Sequence, residues 1–216
     1  RRPGQCPVNA PVSGPSDMIG RMVADRGSTD RIDGMPFRWA WAEVDVAAIA
    51  HNVELLRRVV RPAAVWAVVK ADGYGHGAVT VARAALDAGA EGLCVALVQE
   101  GIELRRAGVD APILVLSEQP PEQLDALVAH DLTATAYTER ALTDLGSVGS
   151  RAGDAVSVHL KLDTGMQRVG AAPRSLVDLV RRIERQPALT LSGVFTHLAV
   201  ADEPGSDASG RQLAAF

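Results

Sequence analysis

Cysteine is close to absent. The chain of 216 residues has two, Cys6 and Cys94, far apart in sequence. Two isolated thiols make neither a disulfide framework nor a zinc-ligand spacing. They suit a reducing, cytoplasmic location. Aromatic residues are scarce at 4%, too few for a platform that stacks single-stranded nucleic acid. Basic residues are not in excess: 22 Lys and Arg stand against 26 Asp and Glu, for a net charge of −4. Nothing in that balance points to a nucleic-acid partner. No apolar run approaches the roughly 18 residues of a membrane helix. The start has no apolar segment with a small-residue cleavage site, so no signal peptide is expected. What remains is ordinary globular composition, 47% hydrophobic and 22% charged. The length suits one large domain or a domain and a half.

Residues 1–37 read as a poorly ordered leader. Pro3, Pro7, Pro11 and Pro15 recur among glycines and mixed charges, with a short helix conceivable at 18–23. The chain opens with Arg1 and closes at Phe216 inside a helical pattern. The expectation is therefore a piece of a longer reading frame.

The globular part, 38–216, alternates between two periodicities. A strand at Trp39–Val46 leads to a helix at Ala47–Val60, ended by Pro62. A buried strand then runs from Ala63 to Lys70. Helices are expected at Ala78–Ala88, Glu100–Ala107, Pro121–His130, Thr138–Leu145 and Pro173–Gln186. Gly146 is read as the stop of the fourth of these, and Thr138 as its cap. The intervening strands are Gly92–Leu97, Pro112–Leu116, Leu132–Tyr137, Ala155–Asp163 and Leu189–Leu198. Strand and helix in regular alternation with short connections signal a parallel α/β fold. No glycine-rich turn joins the first strand to its helix, which argues against a dinucleotide-binding sheet. A (β/α)8 TIM-like barrel is the expected architecture. Counting from Ala63 gives about six of its eight strands. An unclosed barrel leaves a strand edge open, so 38–216 alone is expected to be marginal or prone to aggregate.

Three stretches carry chemistry. The first is Val68-Val-Lys70-Ala-Asp72-Gly-Tyr74-Gly-His76-Gly77. A lysine at the carboxyl end of a buried strand sits where α/β folds place their ligands. Partial burial there favours the neutral amine, which can form a Schiff base with an aldehyde. The alternative is a lysine that snorkels into water. His76 is read as shaping the turn. A phosphate loop needs a Gly-Lys-Ser/Thr ending, absent here. The second stretch is Lys161-Leu-Asp163-Thr-Gly-Met-Gln-Arg168, where Lys161 and Asp163 share a strand face. It is either a binding cluster or an ion-paired barrel rim. The third is Phe195-Thr-His197-Leu-Ala, a histidine at the end of a buried strand, which alone fits a hydrogen-bonded structural role better than a chemical one. His51, His130 and His159 receive no role.

All three stretches resemble motifs of the alanine racemases, in family order and covering residues from about 41 to 216. The resemblance implies an N-terminal pyridoxal-phosphate-binding barrel, with the family's C-terminal β domain absent from this sequence. It implies the cofactor pyridoxal 5'-phosphate, held by Lys70 as a Schiff base, with Tyr74 on its phosphate. Arg168 would donate to the phenolic oxygen and contact the substrate. Lys161, open to carbamylation, and Asp163 would support Arg168. His197 would stand beside the cofactor ring in a supporting place, and no metal is implied. The implied reaction is interconversion of L-alanine and D-alanine, supplying D-alanine for cell-wall peptidoglycan. Lys70 would serve one face of the substrate. The base for the other face is a tyrosine of the second domain, given by the partner subunit of a homodimer. Tyr137 does not match it. On this reading the 216 residues alone are expected to be inactive or weak. Two rivals stand beside it: a non-catalytic pyridoxal-phosphate homeostasis protein, and a cofactor-free barrel interaction domain in which Lys70 and Arg168 pair at the rim.

Overall fold

Asp45 caps the first helix among the described residues. Its Oδ1 accepts from the N–H groups of Ala47 (2.9 Å) and Ala48 (3.2 Å), the usual service of an aspartate at that position. The computed structural model describes residues 42–216. Residues 39–41 of the predicted strand Trp39–Val46 lie outside them, as do the leader and Cys6; over the five residues that are described the strand expectation fails. Residues 42–45 carry no strand, and Val46 already belongs to the helix.

Helix α1 (Val46–Val59) leads into strand β1 (Trp66–Val68) and a short helical turn, α2 (Lys70–Gly75). Thereafter α3 (Ala78–Asp87), β2 (Gly92–Val95), α4 (Val98–Arg106), β3 (Ile113–Val115) and α5 (Pro121–Ala129) alternate. The pattern continues through β4 (Ala134–Ala136), α6 (Glu139–Ala152), β5 (Val156–Lys161), α7 (Leu176–Glu184), β6 (Leu189–Phe195) and α8 (Ala208–Ala215). All strand pairs are parallel: β1 with β2, β2 with β3, β4 with β5, and β5 with β6. A bridge between Leu114 and Thr133 links β3 to β4. Six strands thus follow one another in sequence order around an arc of barrel wall, the expected α/β architecture.

The two faces of the wall differ. Val69, Leu93, Val95, Ile113, Val115, Ala134, Val158 and Leu160 pack against helix residues such as Ala82, Leu104, Leu127 and Leu142. These are alternate strand positions, as the pleat requires. The other face carries Trp66, Cys94, His159 and Lys161. Cys94 is buried, and burial pushes its thiol up to about 11. The His159 ring lies 6.0 Å from that of Trp66 and 6.2 Å from that of Phe195. Burial pushes its imidazole below the ordinary range.

Three expectations need correction. Gly146 does not stop its helix: α6 runs on to Ala152, with Gly153 in the left-handed conformation after it. Thr138 caps it as expected, accepting from Ala141 N–H at 3.1 Å. Gly146 and Gly149 are there for packing, since a Cβ on Gly149 would stand 2.7 Å from the Ala188 carbonyl oxygen. Strand β1 stops at Val68, so Lys70 opens a turn instead of closing a strand. Strand β6 stops at Phe195, which puts His197 in the following loop.

Candidate active site

The turn after β1 is left-handed. Ala71, Asp72, Gly73 and Tyr74 all have φ between 50° and 60°. A non-glycine residue there costs about 1–2 kcal/mol, so the turn persists only where its surroundings over-determine it. Gly73 N–H donates to the Val69 carbonyl and Gly77 N–H to that of Asp72, both at 2.9 Å. Asp72 Oδ1 accepts from Ala78 N–H at 2.7 Å. His76 Nδ1–H donates to the Gly73 carbonyl at 3.0 Å. From outside, Glu100 on α4 accepts Ala71 N–H at 2.6 Å, while its second oxygen accepts from Ala96 and Leu97. The turn carries Lys70 and Tyr74 round so that the ammonium stands 5.8 Å from the phenol centroid. Lys70 is half-buried and Tyr74 exposed.

Strand β5 delivers Lys161. Only 4% of this residue is exposed, and its Nζ stands 4.7 Å over the Phe195 ring centroid. Burial pushes its pKa below the ordinary lysine range, and the Arg168 guanidinium adds to the effect. Asp163 pulls weakly the other way. Asp163 itself is spent on backbone: its Oδ1 accepts from Gln167 and Gly165 N–H, both at 2.9 Å. Those bonds hold its carboxyl below the usual range. They also fold the loop that presents Arg168. His197 follows β6. Partial burial lowers its pKa, and the charges of Lys161, Arg168 and Lys70 lower it further.

The charges of Lys70, Lys161 and Arg168 all act on His197, which places these expected residues in one electrostatic field after β1, β5 and β6, with Tyr74 beside Lys70. Among the described residues no carboxylate forms an ion pair with Lys70, Lys161 or Arg168. The expected alternative of an ion-paired rim has no counterpart there. Tyr137 lies past β4, its N–H held by Glu118 at 2.6 Å. No three His, Cys, Asp or Glu side chains among the described residues are grouped to hold a metal. No helix among them is long and apolar enough to cross a membrane.

Two polar residues at the site escaped the sequence reading. Glu100 stands three residues after the cap position of α4, but that cap is Leu97, so the sequence carries no capping-box signature there. Gln212 on α8 gave no signal. It is 4% exposed and bonds to Ala199, His197 and Thr164, the last 48 residues away in sequence.

A wall of parallel strands, each followed by a helix, with a polar cluster at the strand carboxyl ends, defines a (β/α)-barrel domain. The chain belongs to the alanine racemase family: residues 44–216 match the sequence model of the alanine racemase N-terminal domain. It is 46% identical over 182 residues to an alanine racemase of Symbiobacterium thermophilum, covering 84% of this chain and 48% of that protein. The crystal structure of the Bacillus anthracis alanine racemase with bound L-Ala-P superposes with a TM-score of 0.77 at 35% identity, covering 83% of this chain and 47% of that one. A histidine racemase from Leuconostoc mesenteroides gives 0.74 at 26% identity, covering 79% and 46%. The chain thus spans about half the length of the relatives it matches.

Proposed function

We propose that residues 38–216 are the cofactor-holding barrel of an alanine racemase, acting on L-alanine and D-alanine with pyridoxal 5'-phosphate. The observation that carries this reading is that Lys70, Lys161 and Arg168 share one electrostatic field with His197, with no carboxylate ion-paired to the cations among the described residues. Cations without an ion-pair partner at the strand ends suit an anionic guest, and a neighbouring amine suits an aldehyde. The residues present therefore fit pyridoxal phosphate, which when bound supplies an electron sink for the charge left as the α C–H bond breaks.

The chain's own residues take the following parts. Lys70 would hold the cofactor through its Nζ, and its amine is the group on this chain that could take or return a proton on one face of the substrate. Tyr74 would donate its phenol hydrogen to the cofactor phosphate. Arg168 would donate to the cofactor's phenolic oxygen and to the substrate carboxylate, a role for which its planar fork is suited. Asp163 folds the Arg168 loop, and Lys161, once carbamylated, would hold the guanidinium in place. His197, with its pKa pushed down, would take a supporting place. A base for the opposite face comes from a partner subunit in a homodimer. The setting is cytoplasmic and the product D-alanine serves peptidoglycan.

The test is spectroscopic. Adding pyridoxal phosphate to the chain gives an absorbance band near the visible edge. Borohydride removes the band and leaves a stable adduct on the Lys70 peptide, and Lys70→Ala gives neither. Folded protein with no band would overturn the reading. Within the full protein, D-amino acid formed from L-alanine, L-serine and L-histidine ranks the substrates.

A further inference from the structure

Gln212 is one of three buried polar or charged residues among those described, with Thr135 and Lys161. Every function of its amide is used. Oε1 accepts from Ala199 N–H at 2.8 Å. Nε2 donates to the His197 carbonyl at 2.9 Å and to Thr164 Oγ1 at 3.3 Å. Thr164 Oγ1 lies 2.8 Å from Thr196 Oγ1, which donates to the Leu162 carbonyl at 3.0 Å. That last bond fixes the proton order along the chain. Thr196 spends its hydrogen on Leu162, so Thr164 must donate to Thr196, and the Gln212 amide donates to Thr164. One directed series thus runs from α8 to Thr164 in the loop after β5, across to Thr196 just after β6, and back to the Leu162 carbonyl just past β5. A second arm of the same amide grips the loop after β6.

The two gripped loops are the ones that present Arg168 and His197. The Arg168 loop is folded from within by Asp163. Gln212 holds it from outside, with its Cγ against Gly165. We propose that Gln212 is a positioning residue, whose buried amide locks the loop carrying His197 to the loop carrying Arg168. The inference deepens the racemase reading and rests on it for the meaning of the site, though the lock itself is a property of this chain. Only a primary amide fits. Glutamate keeps the length and the acceptor for Ala199, but it sets a carboxylate oxygen against the His197 carbonyl and loses both donors. Leucine keeps the volume and loses all three bonds.

The test uses the 216-residue chain and the variants Gln212→Glu, Gln212→Leu and Thr164→Ala, with Leu213→Ala as a neighbour on an exposed part of α8. Histidine titrations followed by NMR report on the lock without cofactor. With the lock lost, His197 swings away from burial and from Lys161, Arg168 and Lys70. Its pKa then rises toward the ordinary value while His51 and His130 titrate as in the parent. Pyridoxal phosphate binding weakens roughly ten-fold, the equivalent of about one charged or two neutral hydrogen bonds. Leu213→Ala changes neither. If Gln212→Leu does not fold, Gln212→Glu and Thr164→Ala carry the same comparison. An unmoved His197 titration in folded variants overturns the lock, as does a shift shared equally by all three histidines. A parent chain that binds no pyridoxal phosphate sinks the racemase reading, while the His197 titration still decides the role of Gln212.

Discussion

Lys161 has conflicting demands on it. Its ammonium is buried beside a guanidinium with no carboxylate in ion-pair range, so the proton is held less firmly than on an exposed lysine. The neutral fraction can attack carbon dioxide: the Nζ–C bond forms, one proton leaves, and an anionic carbamate faces Arg168. In 13C-labelled bicarbonate a carbamate carbon signal is expected from the parent and none from Lys161→Arg. Glu100 is the second telling residue. Glu100→Gln turns one acceptor oxygen into a donor that faces a backbone N–H. The expected loss is about 1–3 kcal/mol, read as a lower melting temperature together with faster hydrogen exchange at Ala71. His159 sets an acid limit. Its folded pKa lies below the ordinary value because of burial, so the unfolded chain binds the proton more readily. Stability is then full above about pH 6.5 and falls as pH drops toward and through the folded value. His159→Asn is expected to flatten the melting temperature against pH over that window. A profile as steep as the parent's would assign the acid loss elsewhere.

At the scale of elements, the glycines separate into two kinds. Gly153 ends α6 in a left-handed turn with open space around it, so Gly153→Ala costs about 1 kcal/mol of conformational strain. Gly149 lies inside α6, where alanine ordinarily helps by roughly 0.5–1 kcal/mol. Here a methyl would stand 2.7 Å from the Ala188 carbonyl and 2.9 Å from that of Asp154. Gly149→Ala should therefore destabilise by about 1–3 kcal/mol through backbone displacement. Chemical denaturation of the two variants checks the order. The same pair explains why α6 was legible at its start and not at its end. Thr138 announces its cap by a local bond, and Gly153 resembles many glycines. Whether Gly146 stops a helix or lets a loop approach depends on Gln186, distant in sequence. The turn at Lys70 is a similar case. Its glycines signalled a turn, but its left-handed course depends on Glu100 from another element.

For the whole molecule, the wall has two outer edges. Strand β1 pairs only with β2 and β6 only with β5 among the described residues. Val68 beside one edge is 39% exposed. Unpaired edges and open apolar surface template association. The isolated 216-residue chain is expected to self-associate with rising concentration, and light scattering after gel filtration checks this. A monodisperse monomer with a cooperative melt would contradict it. Composition and periodicity determined the parallel strand–helix alternation by themselves, because each element's apolar spacing is a local property. The three polar motifs were equally legible, since each is contiguous and lies at or just past a strand end. Only the tertiary structure decided that Lys70, Lys161, Arg168 and His197 share one field, that a left-handed turn aims Lys70, and that Gln212 ties two loops together. Those outcomes depend on burial and on hydrogen bonds between residues far apart in the chain, which no local pattern encodes.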